Sequence, residues 1–346
     1  MHYKTSIRRA CRFLRTGSAK SRDYTRYFQR LREGRGRHEA GILNVTIDLE
    51  LAWSRARGSS GSTKLADSLE RARLTRTVFS EFLALSDSYE IPITFAIVAH
   101  LALADCSGHR KAPPFTPYWL GTDWFAIDPR SSLASNPEYY GMDLVRAILN
   151  SGQDHEIASH GFSHVDLSDD ATTAEVALFE ISESFDILRR LDSRLTTLVF
   201  PNNRPGFVEI LKRVGFAVYR SGEGCDVKRD EFGLWRFPVG LWLSPLACTP
   251  HEVAQLVALG VEKKHVVALW CHLYEFKSAQ MLRAFLEPVF EFVGRYRRAG
   301  LLEVATVRDI VDRVTSMGCA NYGSAREPGK VLRADCDEGP CLETRR

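Results

Sequence analysis

The chain lacks several features that would fix its class at once. Its eight cysteines, at positions 11, 106, 225, 248, 271, 319, 336 and 341, include no CxxC pair. Scattered in this way they point to reduced thiols in a cytoplasmic protein rather than to a disulfide framework. No apolar run reaches the roughly 18 residues of a membrane helix. The stretch from His2 to Leu14 has no apolar core of signal-peptide length. No GxGxxG follows the first strand-like run, which removes the usual sign of a dinucleotide-binding sheet. Acidic residues are nearly missing before residue 38: only Asp23 and Glu33 stand against a crowd of basic side chains from Arg8 and Arg9 to Arg35 and Arg37.

What remains is of ordinary globular composition. Of the 346 residues 45% are hydrophobic and 26% charged, and the formal net charge is +3, enough chain for one large domain or two medium ones. We divide it into a basic N-terminal arm (1–37), one folded unit (38–318), and a polar tail (319–346) carrying Cys319, Cys336 and Cys341 and expected to be disordered. The arm suits an anionic partner, nucleic acid or lipid. A solvated, partly helical extension is the simpler expectation, because a charge block alone specifies little.

The chemistry gathers around Asp154–His164, where a strand-like run ends in His160-Gly161-Phe162-Ser163-His164. Imidazole is the commonest metal ligand, and in a helical or tightly turned segment two imidazoles four positions apart share one side. Gly161 permits a sharp turn between them. Surface histidines at this spacing are often merely solvated, so the carboxylate that would complete a site has to be found elsewhere.

In chain order, Ile42–Asp48 reads as a buried strand ending Asp48-Leu49-Glu50, with both carboxylates on one side of an extended backbone. A Gly/Ser-rich loop (58–62) and a helix (65–86) follow, then a strand at 93–98. Residues 105–137 form a long irregular segment rich in proline and aromatics, expected to be either a packed surface loop or a wall of a substrate groove. Further helices are expected at 139–150, 172–191 (opened by a Thr172/Glu175 capping box), 205–214 (with Pro205 in its first turn), 249–263 (Thr249/Glu252 box), 278–298 and 306–314. Strands are expected at 196–200, 216–219, 234–238, 265–271 and 301–305. Continuously apolar strands alternating with helices indicate a parallel sheet covered on both faces. Seven or so such units suit a closed (β/α) barrel, with a doubly wound open sheet as runner-up. Asp48, Glu50, His160, His164, Asn202 and His272 all follow strands, and in a barrel such ends meet on one face. Two histidines and a carboxylate can hold a metal with open positions. A second carboxylate can then take a proton and a separate histidine can give one, which is a design for amide or ester hydrolysis.

These residues carry a resemblance to the NodB-type polysaccharide deacetylases, carbohydrate esterase family 4, over about Ile42 to Val314. The family's strand ending Thr-Phe-Asp-Asp is matched by Thr46-Ile47-Asp48-Leu49-Glu50. Its His-(Ser/Thr)-x-x-His motif is matched by His160 to His164, and its apolar strand ending in histidine by Leu269-Trp270-Cys271-His272. The resemblance implies a distorted (β/α) barrel of about seven strands and removal of an acetyl group from an N- or O-acetylated sugar. It implies Asp48 as base, His272 as acid, and His160 and His164 as ligands of a divalent metal, usually zinc. The family's metal-binding aspartate directly follows the base, where this chain has Leu49. Glu50 is therefore expected as third ligand, with Asp48 the alternative. An arginine that orients the base is sought near Pro201–Arg204. Asn202, Asn203, Arg204 and Trp235 are the expected substrate contacts. The expected partner is an acetylated sugar or glycan, a lipid-linked intermediate among the candidates, with no nucleic acid and with peripheral membrane contact through the arm. A catalytically silent glycan- or partner-binding relative, and a deformylase or other amide hydrolase, are the alternatives.

Overall fold

Every residue of Gly41–Leu49 is buried, and the strand they form, β1, has two chemically different faces. Leu43, Val45, Ile47 and Leu49 join the main hydrophobic core, whereas Asn44, Thr46 and Asp48 point the other way and are polar. Period-2 alternation in a fully buried strand means that both faces are covered, one by helices and one by other strands. The computed structural model describes residues 19–33, 36, 38–54, 61–222 and 224–322.

The chain then alternates as expected: α2 (Gly61–Ser88), β2 (Thr94–Ile97), α3 (Met142–Leu149), β3 (Glu156–Ser159), α4 (Ala174–Arg189), β4 (Thr197–Val199), α5 (Val208–Val214) and β5 (Val218–Arg220). Next come β6 (Lys228–Arg229), β7 (Trp235–Phe237), β8 (Leu241–Trp242), α6 (Pro250–Lys263), β9 (Val266–Cys271), α7 (Ala279–Arg298), β10 (Leu302–Val304) and α8 (Val307–Tyr322). The sheet order is β6-β7-β5-β4-β3-β2-β1-β9-β8, parallel throughout except for the β6–β7 pair. Strand β10 pairs with the start of β1 (Gly41–Leu43), below the β2 pairing at Thr46–Leu49.

Although β8 ends this order and β7 stands next to its other end, inside the short antiparallel β6, only Pro238, Val239 and Gly240 separate them. The chain itself therefore joins the two ends of the sheet, which curls into a distorted barrel whose seventh stave is the β7–β8 segment. Gly240 makes the junction. Its φ is +77°, and a Cβ there would lie 2.0 Å from the Ala268 carbonyl oxygen on β9.

The barrel is narrow, and its interior is filled by small or polar side chains in layers. Near the bottom, the Glu156 carboxylate accepts from Thr197 Oγ1 (2.6 Å), Thr94 Oγ1 (2.9 Å) and the Arg308 amide (3.0 Å) at the start of α8. Above it Ala96, Ala158 and Val199 form a small apolar layer. Asp48, His160 and Arg220 follow at the carboxyl ends of their strands.

The expectation of a solvated arm is corrected over its second half. Residues Ala19–Arg32 form a helix, α1, whose Tyr24, Tyr27, Phe28 and Leu31 are buried in the main core. Tyr27 Oη accepts a hydrogen bond from the Ala268 amide on β9 (2.9 Å). Apolar groups at helical spacing inside a basic run cause this, while Arg26 and Arg32 are exposed. Residues 1–18 and 323–346, with most of the expected tail, lie outside the described residues, as do residues 55–60, which include 58–60 of the Gly/Ser-rich loop. Two helix starts also differ. α4 is capped by Thr173, not by a Thr172/Glu175 box, and α5 begins at Val208 after Phe207 takes φ +51°, so Pro205 precedes the helix. The Thr249/Glu252 box is present. Among the described residues no helix is long and apolar enough to cross a membrane.

Closure through Gly240 makes a direct prediction. Gly240→Ala should destabilise the fold by about 3 kcal/mol, from left-handed strain plus displacement of β9, read as a lowered denaturation midpoint. An unchanged midpoint would mean that the ends are not held this way.

Candidate active site

Three loops at the carboxyl end of the barrel bring the expected side chains to one point. Glu50 directly follows β1, and the next residue, Leu51, folds the chain back with φ +46°. The histidine loop follows β3: Gly161 has φ +77° and His164 φ +66°. It is a turn rather than a helix. Ala99 and His100 donate their amides to the Gly161 and Phe162 carbonyls (2.9 Å each). The Glu180 carboxylate on α4 receives the Ser163 amide (2.8 Å) and the Ser163 hydroxyl. Trp124 Nε1 donates to Ser163 Oγ (2.8 Å), so this aromatic of the 105–137 segment supports the loop from within. Asn202 and Asn203 after β4 are left-handed as well. Non-glycine residues in this region each cost on the order of 1 kcal/mol, and such strain collects at functional sites.

Glu50 Oε1 lies 3.2 Å from His160 Nε2, 2.9 Å from His164 Nε2 and 3.2 Å from His272 Nε2. Ligand atoms of Glu50, His160 and His164 all fall within 4.8 Å of one another, as do those of Asp48, Glu50 and His272. All of these side chains are buried except that of His272, which is 16% exposed.

Asp48 is held differently. Its two oxygens receive Arg220 Nη1 (2.9 Å) and Nη2 (2.6 Å) in a fork, and Nη2 also donates to Asn203 Oδ1 (3.0 Å). Burial alone would raise the Asp48 carboxyl, but the Arg220 guanidinium, together with His160 and His272, holds the group below its ordinary range. Glu50 is likewise pushed up by burial and brought well below its usual range by His164 and His272. Burial would lower His272, yet the Glu50 charge, Tyr274 and the bond to Glu275 raise it well above the ordinary imidazole range. His272 Nδ1 donates to Glu275 Oε1 (2.8 Å), which also accepts from Trp242 Nε1 (2.7 Å).

The donor set fits a divalent cation. His160 Nδ1 faces the Val199 carbonyl at 2.8 Å, and a carbonyl can only accept, so the ring proton belongs on Nδ1. Neutral His160 then presents its Nε2 lone pair to the Glu50 carboxylate, an arrangement that needs a positive charge between them, either a proton or a metal ion. Both ring nitrogens of buried His164 lack a hydrogen-bond partner, because the short approach to Glu50 does not have hydrogen-bond geometry. A carbonyl bond at the far nitrogen is the usual device that aims a metal-binding imidazole.

Some expected residues stand elsewhere. Asn203 touches Arg220, and Asn202 is exposed at the rim. Arg204 points away to Asp170 and Asp166. Trp235 begins β7 at the bottom of the barrel, packed with Ile42, Val218 and Val266 under the Arg229 guanidinium. Sequence reasoning missed Arg220, which ends β5 and so obeys the same rule that found the others. It also missed Glu275, three residues after His272, and Glu180, an acid on the inward face of a helix.

No protein-family model matches the chain, and no curated protein matches it in sequence. Solved structures do. A protein assigned to the polysaccharide deacetylases, from Mycobacterium smegmatis, superposes with a TM-score of 0.58 at 14% identity, over 88% of this chain and 98% of that one. Another so assigned, from Pseudomonas aeruginosa PAO1, gives 0.55 at 15% identity, over 78% and 89%. The PuuE allantoinase gives 0.53 at 13% identity, over 78% and 88%. Together with the curled parallel sheet, these likenesses show that the chain has the NodB-type fold of the polysaccharide deacetylases and carbohydrate esterase family 4.

Proposed function

We propose that the protein is a metal-dependent hydrolase that removes an acetyl group from an acetylated amino sugar or glycan. The observation that carries this reading is the approach of Glu50 to both His160 and His164, beside an Asp48 held ionised by Arg220. The fold likeness supports the same class of chemistry.

Glu50, His160 and His164 would hold a divalent ion of the zinc type, which when bound supplies an acidified water and polarises the acyl carbonyl. Asp48 would accept a proton from the attacking water at a carboxylate oxygen. Arg220 fixes the carboxylate plane and keeps it charged, and Asn203 fixes the arginine. His272 Nε2 faces the same space, and the Glu50 charge with Tyr274 and Glu275 raises its hold on a proton, which suits it to deliver one to the departing sugar nitrogen. Glu275 keeps the His272 ring oriented and charged. Asp48 is engaged at both oxygens by Arg220, whereas Glu50 faces the imidazoles; this favours Glu50 over Asp48 as third ligand. Asn202 at the rim is the proposed substrate contact, with zinc as the metal and a cytoplasmic intermediate as substrate.

Two outcomes follow. Asp48→Asn should lower kcat for acetate release from an N-acetylglucosamine oligomer by about 10³-fold, within the range of general-base effects, while the metal content stays at the wild-type level; activity retained in this variant would remove Asp48 from the reaction. Arg220→Gln should shift the acid limb of the kcat/KM profile to higher pH. The Asp48 carboxyl is depressed chiefly by Arg220, so without it burial raises the group and its ionised form is lost at less acidic pH. An acid limb that stays in place would assign that limb to another group.

A further inference from the structure

A second cluster of ligand-type side chains lies behind the histidine loop, and nothing in the proposed reaction uses it. It consists of His100, at the turn after β2, and Cys106, His109 and Asp128 in the long irregular segment. One ligand atom from each of the four lies within 4.8 Å of every other. Asp128 Oδ2 is 2.7 Å from His109 Nε2, 3.5 Å from Cys106 Sγ and 3.6 Å from His100 Nε2, and Cys106 Sγ is 3.4 Å from His109 Nε2.

These separations have a simple geometric meaning. Tetrahedral bonds of 2.0–2.1 Å to nitrogen or oxygen and 2.3 Å to sulfur place neighbouring ligand atoms about 3.3–3.6 Å apart. Three of the four distances fall at or near that edge length, and the fourth is a His109–Asp128 hydrogen bond that a cation would replace. His100 has a fully buried side chain, and its Nε2 stands 3.6 Å from Asp128 Oδ2, beyond hydrogen-bond reach. A buried imidazole aimed at a carboxylate but beyond bonding reach costs free energy unless something joins them. The surroundings match those of bound thiolates and carboxylates: the Gly108 amide donates to Cys106 Sγ (3.3 Å) and the Arg130 amide to Asp128 Oδ1 (2.9 Å).

We infer that His100, Cys106, His109 and Asp128 form a second, structural site for a thiophilic divalent metal such as zinc. Four protein ligands close a tetrahedral site and leave no open position, so this ion is a staple, not a catalyst. Its place explains its use. Residues 105–137 contain only a 3-10 turn (Trp124–Ile127) and an isolated bridge, too little to order so long a connection alone. Phe162, between the two active-site histidines, packs its ring against both His100 and His109 (centroids 5.6 and 5.0 Å). The staple therefore holds the wall against which the histidine loop rests.

The test loads the full-length protein with Co²⁺ and records metal stoichiometry and absorption for the wild type, His164→Ala and Cys106→Ser. The expected wild type holds two ions per chain and shows a near-ultraviolet thiolate-to-cobalt charge-transfer band. His164→Ala keeps that band with one ion. Cys106→Ser loses the band, and if it fails to fold, the band in His164→Ala alone carries the assignment. A wild type without the band, together with a His164→Ala protein free of metal, would overturn the second site and leave the proposed active site standing. One ion that stays, with its band, in both the wild type and His164→Ala would support the second site and remove the first.

Discussion

A single carboxylate oxygen, Glu50 Oε1, faces three imidazole nitrogens at 2.9–3.2 Å in a largely buried space. One oxygen cannot satisfy three rings, and at least one ring, His160, turns its lone pair toward it once Nδ1 is committed to the Val199 carbonyl. Positive charge is what allows this group to persist in a buried place. The rest of the carboxyl face is arranged around that demand. Arg220 neutralises the neighbouring Asp48 instead of competing for Glu50, and Glu275 engages the far side of His272.

The same crowding requires a narrow barrel. Glu50 and the imidazoles come from strands β1, β3 and β9, which meet only because the interior is built from Ala96, Ala158 and Val199 and not from bulky side chains. Larger residues there would push the staves outward and separate the ligands. Closure by three residues through Gly240, seated on the β9 backbone, sets the circumference. Left-handed Leu51, His164, Asn202 and Asn203 are the local cost of bending three loops into one small volume, and the cooperative core beneath offsets it.

Much of this was legible in the residues. Apolar runs ending in Asp48, His160 and His272 identified both the strands and the face on which they end, because a buried parallel strand has no reason to end in a polar group unless that group is used. Alternation put Asp48 and Glu50 on one side of the strand, and the family resemblance, not that geometry, singled out Glu50 as the expected ligand with Asp48 as the alternative. Less could be read where the signal depends on tertiary partners. Arg220 sits at the end of a three-residue strand and is identified only by its fork onto Asp48, 172 positions away. Arg204, nearer to the expected motif, instead serves Asp166 and Asp170. Trp235 was expected as a substrate contact, but strand direction puts it at the opposite end of the barrel. In the basic arm, charge density concealed Tyr24, Tyr27, Phe28 and Leu31, whose spacing is that of a docked helix. The aromatic segment could be read as a groove wall or as packing; Trp124 turns inward to Ser163.

The account depends most on Glu50, and not Asp48, serving as the third ligand beside His160 and His164. Anomalous diffraction from crystals of zinc-loaded protein tests this directly. The expected peak lies about 2.0–2.2 Å from a Glu50 oxygen and from the Nε2 atoms of His160 and His164, with Asp48 still forked to Arg220. A peak bonded to Asp48 with the Arg220 fork broken, or no peak among these side chains, would contradict it.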